Sequence, residues 1–398
     1  MIISAYSRVV LILFSILFLP SLVYVILHSS SMAVGLIGSL IILLVLVNKS
    51  SLPRIENHFV YLFSIFFLFQ YIYTFFYDSG LVVEKQIISL FLLFIIFISA
   101  GFFALEFQTI PSKKLNYLFK RLSLLILTLG ILSQLITVEF ANYSNFSKAV
   151  FPYSEPSHYV LTTGGVLFTA GFLISSWQRV ILLGLLILLT MLFPSTLLLV
   201  LSIMMLIVYY SSDIKKVILL VLLLLIVFIF VSDNIKDFQY FSSRLDVSST
   251  NNNLTTLVYM QGIDDAYRSF IASNGIGLGF QNMGSIEPSK LSNLIHSLSG
   301  HYKNRNDGGF LAAKIIAEFG VLGLILVVYY LKFFYQSFLF LRNIGNLHNK
   351  TIEIPTSLIF SHSIIMVFFI ELFVRGYGYF SPGVFFVLFA LFIIRKGK

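Results

Sequence analysis

The chain has 398 residues, 58% of them hydrophobic and only 11% charged, with a net charge of +9 and no cysteine. Soluble domains carry about 25% charged residues, so the composition excludes a soluble globular protein and describes an integral membrane protein. The missing cysteines exclude disulfides, thiolate catalysis and Cys-ligated metal. Most of the basic residues lie in short connections between apolar runs, and none form a basic run with interleaved aromatics beside a soluble fold, which argues against nucleic acid as a partner.

Apolar runs long enough to cross about 30 Å of hydrocarbon recur along the whole chain. The first, Val9 to Leu27 after Arg8, is too long for a signal-peptide h-region and has no Ala-x-Ala cleavage site, so it reads as a retained span. Twelve spans are expected, at about 9–27, 32–47, 59–77, 87–107, 122–140, 159–176, 180–193, 196–210, 217–232, 310–331, 356–372 and 383–394. The seventh and eighth divide one apolar run at Pro194-Ser195 into a helical hairpin; a single kinked helix would invert everything downstream. Charge favours the hairpin. With both termini cytoplasmic, Arg8, Lys113, Lys114, Lys120, Arg121 and Arg179 all fall inside, and the short outer loops hold only Lys85, Lys148 and Arg375. The inner connections, 108–121 and 332–355 the longest, are too short for an ATPase or kinase domain.

The chain thus divides into residues 1–232 with nine helices, a large outer loop at 233–309, and residues 310–398 with three more. The loop is longer than structureless connections usually are. Within it, Leu257, Met260, Ile263, Tyr267 and Ile271 share one face at helical spacing, so the loop is expected to be partly helical.

Four constellations carry candidate chemistry. In "FPYSEPSHYV", Pro156 suits a first helical position and Glu155 stands three residues before His158. In a partly dry site such a carboxylate is a general base with a raised pKa; the alternative is helix capping and interfacial polarity. The run "NGIGLGFQNMG" looks like a phosphate-binding turn but fails G-x-G-x-x-G, because Phe280 and Asn282 stand where the third glycine belongs. It reads either as a turn after a helix ending near Ser273 or as backbone built for close approach to a sugar or pyrophosphate, Gly279 included. Lys314 and Glu318, like Glu371 and Arg375, are spaced i,i+4 inside apolar stretches, where ionisable groups face a polar cavity or each other. Finally, Arg244, Arg268, Arg305 and Arg375 lie outside and are suited to bidentate capture of an anion. No His/Glu cluster with metal-ligand spacing is present, and no cofactor is expected.

A dozen spans, one large late outer loop, "SEPSH" at a mid-chain outer mouth and "NDGGFLAAKIIAEFGVLGL" opening the next span resemble the O-antigen polymerases (Wzy) of the bacterial inner membrane. Arg268 is followed by Gly279 at the family's Arg-x10-Gly spacing and by Gly284 at a related one. The chain departs from the pattern in lacking a second such loop, since 141–158 has no arginine. It also lacks the His-Asn pair that precedes Gly-x-x-Gly in the related O-antigen ligases; Gly320-x-x-Gly323 is preceded by Gly309-Phe310.

The resemblance implies an all-α, GT-C-like polytopic fold and a glycosyltransferase that joins undecaprenyl-pyrophosphate-linked oligosaccharides at the periplasmic face of the inner membrane. Its partners would be that lipid-linked glycan, membrane lipid and a chain-length regulator. Arg268, Arg305 and Arg375 would bind pyrophosphate, with Glu155 or His158 as base and His301 in reserve. Asn306 and Asp307 would hold sugar, beside Arg244, Glu318 and Glu371 in the pocket wall. An O-antigen ligase and a lipid-linked oligosaccharide flippase are the alternatives.

Overall fold

The computed structural model describes residues 3–29, 31–47, 83–136, 149–193, 195–211, 253–346 and 354–396, with isolated positions in 64–72 and 143–146 and residue 218. Arg244 and the expected spans at 59–77 and 217–232 lie outside the described residues or almost wholly so. The described secondary structure is helical: α1 Ala5–Ile26, α2 Ala33–Leu46, α3 Val83–Gln108, α4 Ser112–Leu135, α5 Pro156–Leu173, α6 Ser176–Leu192, α7 Thr196–Tyr210, α8 Leu254–Ala272, α9 Lys290–Ser299, α10 Leu311–Asn346, α11 Thr356–Phe373 and α12 Pro382–Lys396. Five of them, α1, α3, α4, α10 and α11, are long and apolar enough to cross a membrane. The protein is a helical membrane protein.

Helix α5 forms the centre. Every residue from Pro156 to Phe172 is buried, and its glycines bring neighbours close: a Cβ on Gly164 would meet Val367 Cγ1 of α11 at 2.8 Å. Small residues serve this purpose in membranes, where packing rather than exclusion of water drives helix association. Beside it, an aromatic cluster ties α3, α4, α11 and α12 together. Phe119 and Phe360 lie 4.6 Å apart, and Phe103 and Phe389 5.0 Å.

The run broken at Pro194 forms two separate helices that pack on each other, α6 and α7. Ser175 caps α6 in a capping box with Gln178, and the Ser195 side chain caps α7. Helix α10 is longer than the sequence predicts. It runs past residue 331 to Asn346 because Phe334, Phe338, Leu341 and Ile344 continue its apolar face onto the core.

The same helix is interrupted at Gly320, whose φ of 56° and ψ of −127° are not helical. The glycine-rich run fills the break. Leu278 and Gly279 donate to the Ala317 and Glu318 carbonyls, both at 2.9 Å, and Val321 donates to Gly275 O at 2.8 Å. Gly275, Gly277 and Gly279 all have positive φ. A Cβ on Gly277 would run into the Glu318 carbonyl, and one on Gly320 into that of Gly275. The run therefore does close α8, as expected, but its close approach is to protein backbone. The amide of Gly279, expected to face a ligand, is bonded to α10.

The two ends of the bundle differ in chemistry. Near the start of α1, Arg8 pairs with Glu106 at the end of α3, and Lys114 lies over Tyr6. Near its end, Tyr24 stacks edge-on against His158. Sixteen residues of helix separate Arg8 from Tyr24, about 24 Å at 1.5 Å per residue. Arg8 and Lys114 thus lie at one end and the "SEPSH" segment at the other, the separation that the charge pattern predicts.

Candidate functional site

The segment before α5 is held rigidly. Val150 and Tyr153 exchange backbone hydrogen bonds, Tyr143 donates to Pro152 O at 2.6 Å, and Tyr153 reaches Leu17 O of α1 at 3.1 Å. This fixes Ser154 and Glu155 at the mouth of α5, whose first turn starts with Pro156 and brings His158 onto the same side. His158 Nε2 lies 2.8 Å from Glu155 Oε1, and its Nδ1 lies 2.7 Å from Ser154 Oγ. Arg375, from the loop after α11, reaches Glu155 Oε1 at 2.7 Å. Tyr377 packs edge-on against His158 at 4.5 Å between ring centres.

Two expectations change here. Glu155 is not a base of raised pKa. Burial pushes its carboxyl up, but the hydrogen bond and charge of His158, joined by the Arg375 guanidinium, outweigh it and hold the group at about 2. Its side chain makes no capping bond. Arg375 also does not pair with Glu371 at i,i+4. Glu371 turns inward, takes a hydrogen bond from Ser381 Oγ at 2.5 Å and lies against Gly383 of α12.

A second cluster surrounds the start of α10. Lys314, almost fully buried, donates to Asp307 Oδ1 and to the Asn306 carbonyl, both at 2.9 Å. Glu318 is 3.9 Å from the Lys314 ammonium; it accepts from Tyr379 Oη at 2.8 Å and from the Met283 amide at 3.3 Å. The expected i,i+4 pair is therefore part of a wider net joining the glycine run, the 304–309 turn and the loop before α12. The backbone connects this net to the first cluster: Gly376, next to Arg375, donates to Gly309 O at 3.0 Å.

The remaining arginines converge on one strip of chain. Arg268 of α8 donates to Glu287 O at 3.0 Å, and Arg305 donates to the adjacent Ile286 O. Arg305, Asn306 and Asp307 line an open cavity of about 360 Å³ with Tyr302 and Asn304. Within electrostatic reach of Arg305 and Arg268 sits Asp265, fully buried, with no hydrogen-bond partner on either carboxylate oxygen. Burial and neighbouring Asp264 push it up to about 6 against the pull of Arg305 and Arg268. The Arg305 Nε, Gln261 Oε1 and Ser269 Oγ are also unpartnered.

The expected arginine trio is thus divided: Arg268 and Arg305 lie together, and Arg375 belongs to the Glu155 cluster. His301 joins neither; it is exposed in the turn after α9, with Nδ1 2.9 Å from Ser299 O. Sequence reasoning missed Asp265, Ser154, Tyr24, Tyr377 and Tyr379. Asp265 alone left a signal, as an acid opposite the apolar stripe of α8; the tyrosines are lost among 21. Among the described residues no group of three His, Asp or Glu side chains is placed to hold a metal ion.

The arrangement offers three kinds of chemistry: guanidinium groups for an anion, a histidine wired between a hydroxyl and an ionised carboxylate, and an unpartnered carboxylate of near-neutral basicity. Compared with family models, with curated proteins and with solved structures, the chain matches none.

Proposed function

We propose that the protein is a glycosyltransferase that polymerises lipid-pyrophosphate-linked oligosaccharide repeats, an O-antigen polymerase working at the outer face of the bacterial inner membrane. The observation that carries this reading is the polar belt at one end of an apolar bundle, running from Glu155, His158 and Arg375 through Lys314 and Asp307 to the cavity at Arg305. A lipid-linked donor suits an apolar body with cations at its rim, and arginine stays charged in a semi-dry site.

In the reaction proposed, the anomeric C–O bond to pyrophosphate breaks and a bond to the acceptor hydroxyl oxygen forms. The leaving diphosphate goes to the guanidinium groups, and the hydroxyl proton goes to a protein base. Glu155, held ionised by two partners, orients His158 and Arg375. A base works best with a pKa near the operating pH, a condition that Glu155 at about 2 does not meet; His158, in its neutral form and with Nδ1 2.7 Å from Ser154 Oγ, is the proton acceptor preferred.

Deletion in the host tests the reading through the lipopolysaccharide pattern on a gel. Loss of a polymerase leaves core capped with a single repeat unit. Bare core would instead indicate the ligase or flippase alternative, and an unchanged ladder would remove the protein from this process. Within the same assay, His158→Ala should abolish the ladder while His301→Ala leaves it intact.

A further inference from the structure

Helix α8 is built inside out for a water-exposed helix. Tyr259, Ile263, Tyr267 and Ile271 recur every four residues along one side and are exposed, at 45% for Ile263, 64% for Tyr267 and 55% for Ile271. At about 100° per residue, Asp265 falls on the opposite side. There Gln261, Asp265 and Ser269 are fully buried. In water the distribution would be reversed, because burying a carboxylate is costly and burying isoleucine is favourable.

The apolar stripe continues onto the exposed apolar surface of a helix long enough to cross a membrane. Ile276, just past the end of α8, is exposed and is joined to α10 through the bond from Val321 to Gly275 O. From Leu311 to Gly320 α10 has no exposed residue. Beyond the break Val321, Leu322, Leu324, Ile325 and Val328 are exposed on a membrane-crossing helix. The stripe of α8 thus meets α10 where the exposed apolar surface of α10 begins.

We propose that α8 lies in the membrane boundary with Ile263, Tyr267 and Ile271 among the acyl chains, and that its buried polar side forms the inner wall of the cavity region. The occupant of the stripe is the lipid bilayer itself. Two tyrosines on an otherwise aliphatic stripe suit this level, where aromatic residues with a polar tip concentrate. The inference does not depend on the reaction proposed above, since it concerns only what covers this face.

The chain has no cysteine and a single tryptophan, so probes can be placed without background. In full-length protein reconstituted into phosphatidylethanolamine–phosphatidylglycerol vesicles, Ile263→Cys, Tyr267→Cys and Ile271→Cys would carry a nitroxide label, with His301→Cys as the control. Power saturation should show the three stripe labels open to oxygen and closed to a water-soluble nickel chelate, with the reverse at 301. Nickel access at the stripe equal to that at 301 overturns the proposal. So does shielding from both reagents, which would mean that protein covers the stripe. Tyr267→Trp in a Trp177→Phe background provides a second reading: quenching by bromolipid should exceed quenching by acrylamide several-fold. The opposite order overturns the proposal.

Discussion

Arg375 Nη2 lies 2.7 Å from Glu155 Oε1, a contact between residues 220 positions apart that joins the mouth of α5 to the end of α11. The same oxygen faces His158 Nε2 at 2.8 Å, so one carboxylate organises both a cation and an imidazole. The sequence spaces Glu371 and Arg375 at i,i+4; the fold pairs Arg375 with a residue far along the chain.

Removing that cation should raise the pKa of Glu155 from about 2 toward its ordinary value. A depressed carboxyl contributes stability that is present above the unfolded pKa and is lost as pH falls through the folded one. In Arg375→Gln the folded pKa lies nearer the unfolded one, so the contribution is smaller and its loss is complete at a higher pH. The variant should be less stable than wild type by about 1–2 kcal/mol near pH 5, after allowance for the solvent that reaches both side chains. Thermal unfolding in detergent between pH 3 and 7 measures this; superimposable profiles would refute it.

Asp265 gives the opposite sign. Its folded value of about 6 lies above the ordinary 3.8, so its contribution is fully present below about pH 4 and fades as pH rises through 6. Asp265→Asn keeps the shape and removes the charge. The variant should lose the pH 4–6 slope and gain up to about 3 kcal/mol at pH 7, two pKa units at 1.36 kcal/mol each. An unchanged slope in the variant would show that Asp265 does not titrate there.

Gly277→Ala and Gly320→Ala should each cost about 3 kcal/mol or more, because φ is positive and the new Cβ meets backbone that cannot yield. Gly300→Ala is the control. Its φ is also positive, but nothing lies within 4 Å of the added atom, so it should cost only about 1 kcal/mol. Melting temperatures of the three variants decide the point, and equal losses would mean that strain alone is being measured.

Lys314→Met leaves Asp307 and the fully buried Glu318 without their cation. Breaking a buried pair by removing one partner costs about 3–5 kcal/mol. Adding Glu318→Gln should recover part of the loss, since the second charge is then gone as well. A double variant no more stable than Lys314→Met would place the cost in packing instead.

Much of the fold is readable in the sequence. Apolar runs locate the five described helices long enough to cross a membrane, because a helix is the local solution to hydrogen bonding in hydrocarbon and needs only its own residues. Pro156 at a helix start and Ser195 as the cap of α7 are equally local. The length of α10 past residue 331 is less so: lysine and arginine mark an end there, and the phenylalanines that extend the helix do so by packing on the core.

The glycine run shows the division most clearly. Its composition marked a turn and allowed something to approach closely, because the missing Cβ permits positive φ and leaves the backbone open. What approaches was decided by tertiary structure alone. The partner is a helix broken at Gly320, forty residues along the chain, and no local rule pairs two such distant glycines. The ionisable groups follow the same logic. Sequence determined that Glu155, Lys314, Glu318 and Arg375 would need partners in an apolar setting. Only the packed bundle decided which partners they took, because a buried charge is satisfied by whatever complement the fold brings within about 3 Å.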